Sequence, residues 1–143
     1  MSWLRALLAP ILLCYSVVAL AAGDSPGRAI EVKLTLAPEL QKYQEQGWTM
    51  YVFAKPPNGR VPLASRTLKL NQVPLTVKLD ESMFLLENLT LATAEEVVVA
   101  VKVTRHNDPH KTIVGDLTAL SPVIRFADGD RQQIALEIDT EVQ

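Results

Sequence analysis

Residues 30–36 read Ile-Glu-Val-Lys-Leu-Thr-Leu, so apolar and polar side chains alternate one by one. A β-strand turns successive side chains to opposite faces, and this period of two therefore predicts a strand with one buried and one solvated face. The same alternation recurs at residues 75–79 and 134–138. Residues 96–104 instead read Glu-Val-Val-Val-Ala-Val-Lys-Val-Thr, which predicts a central strand buried on both faces.

Three further segments, bounded by turn-forming residues, also predict strands: 48–54, 63–70 and 123–126. Pro62 confines the second of these to a strand end or a sheet edge, because proline cannot donate to a ladder. Seven short strands predict an all-β fold, an immunoglobulin-like β-sandwich over residues 29–140. Residues 38–46, which begin with proline and precede a glycine, predict one short helical turn.

The N-terminal segment has the pattern of an export signal. Arg5 precedes an apolar stretch at residues 6–20, and Ala19-Leu20-Ala21 has the small side chains that signal peptidase requires. We therefore expect residues 1–21 to be a cleaved signal peptide, residues 22–28 to be a short linker, and the protein to be periplasmic. The apolar stretch is shorter than the roughly 20 residues of a spanning helix. No stable membrane span is expected after cleavage, and retention as an anchor is the alternative.

Composition excludes several classes of function. The 14 Lys and Arg residues nearly balance the 16 Asp and Glu residues, so the positive excess of a nucleic-acid-binding protein is absent. The single cysteine, Cys14, lies in the predicted signal, which leaves no disulfide and no thiolate zinc cluster. Ser65, Ser82 and Ser121 lack the context of a nucleophile elbow. We expect a binding protein that is not an enzyme and carries no cofactor.

The two histidines, His106 and His110, are the candidates for metal or haem handling. Spacing of four residues places two imidazoles on one face of a helix, as in zinc proteases. Pro109 lies between them and disfavours a helix, and no third ligand is near in sequence. The pattern therefore favours ordinary loop histidines. A periplasmic metal- or haem-handling protein remains an alternative function.

Residues 82–91 have the pattern of a loop and yet are rich in apolar side chains. Such a loop either folds back over the core, closing one end of the sandwich, or offers an exposed apolar patch. In the second case Met83, Phe84 and Leu85 are the candidate peptide-binding residues, since flexible methionine suits adaptable packing. A partner's extended segment could instead add to the strand edge at residues 62–70.

Several segments carry a resemblance to a known family. The most distinctive is Pro74-Leu-Thr-Val-x-Leu-Asp80-x-Ser82-Met83, followed by the valine run at 97–103. The others are residues 32–40, 51–54, 59–64, 115–117 and 121–123. In this order they resemble the C-terminal periplasmic Ig-like domain of the c-type cytochrome biogenesis factor CycH, also called CcmI. The resemblance covers residues 29–140.

The resemblance implies a role in cytochrome c maturation, in which a family member captures unfolded apocytochrome c and delivers it for haem ligation. The implied partners are apocytochrome c or cytochrome c maturation proteins, bound in a chaperone-like manner. Asp80 and Ser82 match a family motif, although both also suit a turn after a strand. The loop at 104–114 departs from the family, and we expect a freestanding copy behind a signal peptide. A structural accessory domain is a further alternative.

A double variant, His106→Ala with His110→Ala, tests the metal- or haem-handling alternative. Because two loop histidines alone fall short of the three or four ligands of a typical site, we expect the affinity for copper or haem to be unchanged. Titration followed by absorbance, against the unmodified chain, measures it. A clear loss of affinity in the double variant would favour the alternative function.

Overall fold

The computed structural model of the chain describes residues 27–108 and 110–143. The predicted signal peptide and most of the predicted linker lie outside the described residues. The described part contains nine strands: β1 (Ala29–Leu36), β2 (Thr49–Lys55), β3 (Ala64–Lys69), β4 (Leu75–Asp80), β5 (Glu96–Thr104), β6 (Leu117–Leu120), β7 (Ile124–Arg125), β8 (Arg131–Ile138) and β9 (Thr140–Glu141).

The strands form two sheets that pack as a β-sandwich. The smaller sheet has the order β4-β1-β8, in which β1 is antiparallel to β4 and parallel to β8. The larger, six-stranded sheet has the order β3-β2-β5-β6-β9, and β7 pairs with the beginning of β5. The prediction of an all-β, immunoglobulin-like sandwich is confirmed.

Seven predicted strands correspond to β1–β5, β7 and β8, and two short strands were not predicted. Leu117–Leu120 spans four residues and Thr140–Glu141 only two. Neither is long enough to establish an alternation of its own, and β9 follows β8 after a single residue. Both become strands by pairing, β6 with β5 and β9 with β6. Two short strands thus extend the larger sheet beyond the seven strands that were predicted.

The core lies between the sheets and is built from the alternate residues that the sequence pattern predicted. In β1 the side chains of Ile30, Val32 and Leu34 are fully buried. In β5 the inward row is equally buried: Val97, Val99, Val101 and Val103. The opposite face of β5 is also largely covered, since Val98, Lys102 and Thr104 are buried and Ala100 is half-buried. The prediction of a strand buried on both faces is confirmed.

The predicted helical turn is a 3₁₀ helix at Pro38–Gln46. Its Leu40 is buried in the core, and Tyr43 stacks on Trp48 with ring centroids 4.9 Å apart. The helix ends at Gly47, whose φ of 64° is a left-handed conformation that glycine adopts without steric cost. Among the residues that the structure describes, no helix has the length and apolar character required to cross a membrane.

The smaller sheet has a polar outer face. Glu31 of β1 lies between Lys78 of β4 and Gln133 of β8, and Lys33 lies beside Thr76. Charges of both signs are interleaved on this face, which is typical of a solvated surface. The outer face of the six-stranded sheet carries apolar side chains instead, and the candidate site lies on this face.

Truncation of a β1 core side chain tests this architecture. Leu34→Ala removes a fully buried side chain between the sheets, and we expect the free energy of unfolding to fall by about 2–5 kcal/mol. Lys33→Ala, on the exposed face of the same strand, is the matched control and should change it by less than about 0.5 kcal/mol. Denaturant unfolding measures both variants, and equal effects would contradict the assigned faces.

Candidate functional site

The outer face of the six-stranded sheet carries a row of apolar side chains that crosses three strands. The register places Phe53 of β2 opposite Ala100 of β5, and Ala100 opposite Leu120 of β6. Phe53 is half-buried, whereas Leu120 is 64% exposed. Side chains directly opposite on neighbouring strands lie close enough to interact. These three residues therefore form one continuous strip, called the outer row below.

Two cavities border the outer row and share Phe53. A cavity of about 320 Å³ lies towards β3, and one of about 300 Å³ lies towards β6. The first is lined by residues that include Tyr51, Ser65, Thr67, Leu85 and His110. The second is lined by residues that include Ala100, Lys102, Thr118, Leu120 and Thr140. Together the two cavities form the outer-face groove.

The loop between β4 and β5 supplies one wall of the groove. Met83 packs against the core, and Leu91 at the far end of the loop is fully buried. Arg28 holds that far end by donating from Nη1 to the Leu91 carbonyl at 3.1 Å. Between these anchors Phe84 and Leu85 are 40% and 61% exposed. The loop thus both covers the core and presents an apolar patch, the two alternatives that the sequence left open.

The structure separates the three predicted peptide-binding residues. Leu85 lines the cavity beside β3, together with Tyr51 and Phe53. Phe84 is exposed and does not line that cavity, while Met83 packs against the core. Leu85 is therefore the member of the predicted set that the fold brings into the groove.

Asp80 and Ser82 form the turn from which this loop starts. The Asp80 carboxylate oxygen Oδ1 accepts a hydrogen bond from the Ser82 backbone N–H at 2.9 Å and another from the Ser82 hydroxyl. The Asp80 carbonyl also accepts from the Met83 N–H at 3.2 Å. This is an Asx turn, in which the aspartate side chain replaces a backbone acceptor. Both residues thus direct the chain so that Met83 reaches the core.

The two histidines lie in different surroundings. The His106 Nε2 atom is 3.2 Å from Oδ2 of Asp116, a buried carboxylate that also accepts from the Ile113 N–H at 2.9 Å. His110 lines the cavity beside β3. Within residues 27–108 and 110–143, no three His, Cys, Asp or Glu side chains are grouped as metal ligands. His106 therefore stabilises its own loop through Asp116, and His110 lines the groove.

The charges that border the groove are positive. Arg60 lies at the cavity beside β3, and Lys102 lies at the cavity beside β6. The Lys102 Nζ atom donates to the Thr112 hydroxyl at 3.0 Å and to the Lys111 carbonyl. No Asp or Glu is among the described residues that line either cavity. The groove therefore combines apolar surface with one basic residue in the lining of each cavity.

The edge of β3, the other predicted route for a partner, is partly blocked. The Ser65 N–H donates to the Met83 carbonyl at 3.1 Å, and the Lys69 N–H donates to Oε1 of Gln72 at 2.8 Å. Both amides point away from β2. Because backbone direction alternates along a strand, the N–H of Thr67, which lies between them, also points away from β2. Among the described residues, the Thr67 N–H has no hydrogen-bond acceptor, whereas those of Ser65 and Lys69 each have one. The geometry thus favours the face of the sheet over this edge.

Tyr51, Phe53 and Leu120 were not predicted as site residues. The period of two indicates that Tyr51 and Phe53 share a face opposite Val52, and this signal was available in the sequence. Leu120 belongs to β6, which the sequence pattern did not reveal. Its position opposite Ala100 follows from strand pairing alone.

A comparison with protein families gives a match over most of the chain. The model for the cytochrome c-type biogenesis protein H Ig-like domain matches residues 30–139, from the second residue of β1 to the residue after β8. No curated protein and no solved structure is significantly similar to the chain. The family resemblance inferred from the strand motifs is thereby confirmed.

Replacement of the turn aspartate tests how the groove wall is held. Asp80→Ala removes the acceptor for both Ser82 donors, and we expect a loss of about 1 kcal/mol in the free energy of unfolding. Hydrogen exchange at the Ser82 and Met83 amides should become faster. Asp80→Asn, which retains an acceptor oxygen, is the matched control and should largely preserve both properties. Unchanged exchange in Asp80→Ala would contradict the assigned turn.

Proposed function

The chain belongs to the Ig-like domain family of cytochrome c-type biogenesis protein H and so acts in cytochrome c maturation. We propose that it is a periplasmic, non-catalytic module that binds apocytochrome c in a chaperone-like manner. The proposed binding surface is the outer-face groove with its Leu85 wall. A component of the maturation machinery is the alternative occupant, which the experiment below distinguishes.

The observation that carries this proposal is the continuous apolar surface from Leu85 across Phe53 to Leu120. Both ends are more than 60% exposed, and each lines one of the two cavities. Exposed apolar side chains that line a cavity are typical of surfaces that bind a partner. An unfolded apocytochrome exposes apolar side chains that its folded holo form buries, so this surface suits the apo form.

The shape and chemistry of the groove suit a flexible client. Two cavities of similar size, about 320 and 300 Å³, each accept apolar side chains, and Phe53 forms their shared boundary. Backbone groups of the client can reach the Ser65, Thr67 and Thr118 hydroxyls, which lie along the groove. Such contacts tolerate differences in client sequence because they do not depend on one defined side chain.

The test compares binding of apocytochrome c, prepared by removing haem from a c-type cytochrome, with binding of the holocytochrome. We expect the full chain to bind the apo form and not the holo form. The double variant Leu85→Ser with Leu120→Ser should weaken binding by about tenfold, because both side chains are exposed contacts of the groove. Fluorescence anisotropy of a labelled apocytochrome measures both effects.

Val123→Ser is the matched control, since Val123 is an exposed apolar residue that lines neither cavity. Its affinity for apocytochrome should equal that of the unmodified chain. Circular dichroism checks that each variant retains the fold. Binding of holocytochrome equal to that of the apo form, or equal losses in all variants, would contradict the proposal. Capture of a maturation protein without apocytochrome binding would favour the alternative occupant.

A further inference from the structure

The cavity beside β3, one half of the outer-face groove, is lined by polar side chains that the fold does not use. Tyr51, Arg60 and His110 line this cavity together with apolar residues. In the part of the chain that the structure describes, the Tyr51 hydroxyl, the Arg60 guanidinium and the His110 imidazole make no hydrogen bond or ion pair. All three groups can donate hydrogen bonds. They are therefore available to a ligand that accepts them.

The backbone on both sides of Arg60 is held in place. The Gly59 N–H donates to the Pro56 carbonyl at 3.0 Å, within the turn between β2 and β3. The Leu63 N–H donates to the Ala54 carbonyl at 2.7 Å. The Arg60 side chain thus starts from an anchored backbone, and little of the chain has to become ordered when this side chain meets a ligand.

The loop that carries His110 is anchored as well. The His110 N–H donates to Oδ1 of Asp108 at 2.9 Å, and the Lys111 carbonyl accepts a hydrogen bond from Nζ of Lys102. These bonds hold the backbone, whereas the His110 side chain lines the cavity. Strand β2 and two separate loops therefore bring three donor side chains to one cavity.

The charges around this cavity favour a negatively charged ligand. Arg60 lines the cavity, and Lys55 lies beside it, since Nζ of Lys55 donates to the Gly59 carbonyl at 3.3 Å. Along the chain, Glu87 and Asp108 are the acidic residues closest to the lining, and neither lines the cavity. A guanidinium in a cavity whose lining has no carboxylate attracts an anionic group.

The apolar part of the lining restricts which anion fits. Phe53, Pro62 and Leu85 share the cavity with Arg60. A small hydrated anion gains nothing from contact with these side chains, whereas a polypeptide can place an apolar side chain next to a carboxylate. The cavity, of about 320 Å³, has room for two such side chains. A guanidinium binds a carboxylate through two parallel hydrogen bonds, which gives the contact a defined geometry.

We propose that the cavity beside β3 is a carboxylate-binding pocket, which selects client segments in which a Glu or Asp side chain adjoins an apolar side chain. Arg60 pairs with the carboxylate, and Tyr51 and His110 donate to its remaining lone pairs. The apolar neighbour packs on Phe53 and Leu85. This proposal deepens the proposed function and rests on it, because the client is the polypeptide that lies in the groove. The carboxylate fixes which part of the client enters this cavity.

The first experiment compares two synthetic peptides that differ at one position. Both are acetylated and amidated peptides of serine and glycine, with a central Leu-Glu-Leu or Leu-Gln-Leu segment followed by phenylalanine. NMR titration of the full chain measures their affinities. The Glu peptide should bind about fivefold more tightly, because glutamine is neutral and cannot form the charge-assisted pair. Equal affinities would overturn the proposal.

A third peptide distinguishes a side-chain carboxylate from the carboxylate at a chain end. It contains the Leu-Gln-Leu segment and has an unblocked C-terminus directly after this segment. We expect it to bind no more tightly than the amidated Gln peptide. Binding as tight as that of the Glu peptide would overturn the assignment, because the cavity would then recognise chain ends.

Arg60→Gln tests whether this side chain carries the preference. The variant should bind the Glu and Gln peptides equally weakly. Arg66→Gln is the matched control, since Arg66 is also exposed and lies on β3 between Ser65 and Thr67, but lines neither cavity. It removes the same charge and should retain the fivefold preference. Circular dichroism verifies the fold of both variants. A preference that persists in folded Arg60→Gln, or that both variants lose, would overturn the proposal.

Binding of apocytochrome c separates failure of this pocket from failure of the proposed function. If the full chain binds apocytochrome while the two amidated peptides bind equally or not at all, the pocket is overturned and the proposed function stands. If the preference for the Glu peptide depends on Arg60 and apocytochrome does not bind, the pocket stands and the proposed client is wrong. Absence of binding by apocytochrome and by every peptide would overturn both.

Discussion

Burial of the inward valine row of β5 is the constraint on which the rest of the fold depends. Val97, Val99, Val101 and Val103 are at most 1% exposed, and each contributes about 1.5–3 kcal/mol relative to an exposed position. A strand can bury this row only if a second sheet covers it, and the alternate residues of β1 belong to the same core cluster as these valines. The sandwich also holds β2 and β6 on either side of β5, which builds the surface on its opposite face.

That opposite face differs in character from the outer face of the smaller sheet. On the smaller sheet, residues such as Glu31 and Lys33 alternate with the core residues of β1 and are solvated. On the larger sheet the positions between core residues include Phe53 and Leu120, and the β4–β5 loop adds Leu85. Apolar side chains at such positions add little to core packing, so a binding role accounts for them better than stability does. The outer-face groove is therefore the surface on which the proposed binding rests.

Much of the fold was predictable from short-range patterns. The alternation at 30–36, the valine run of β5 and the helical turn before Gly47 each identified their element, because the signal lies in adjacent residues. β6 and β9 were not identified, since strands of four and two residues have no periodicity to detect. For the site, Leu85 was predicted from its apolar loop. Its neighbours Tyr51 and Phe53 were not, because their contact depends on how the loop returns to β2.

The sequence by itself determined the all-β class, the faces of the long strands and the family, because each depends on local order along the chain. Only the tertiary structure decided that Leu85, Phe53 and Leu120 line one groove, since these residues come from three distant segments. It also decided that β8 is an edge strand. Strand order follows from which hydrogen-bonding partners remain after the core has closed, and no local pattern in residues 131–138 specifies it.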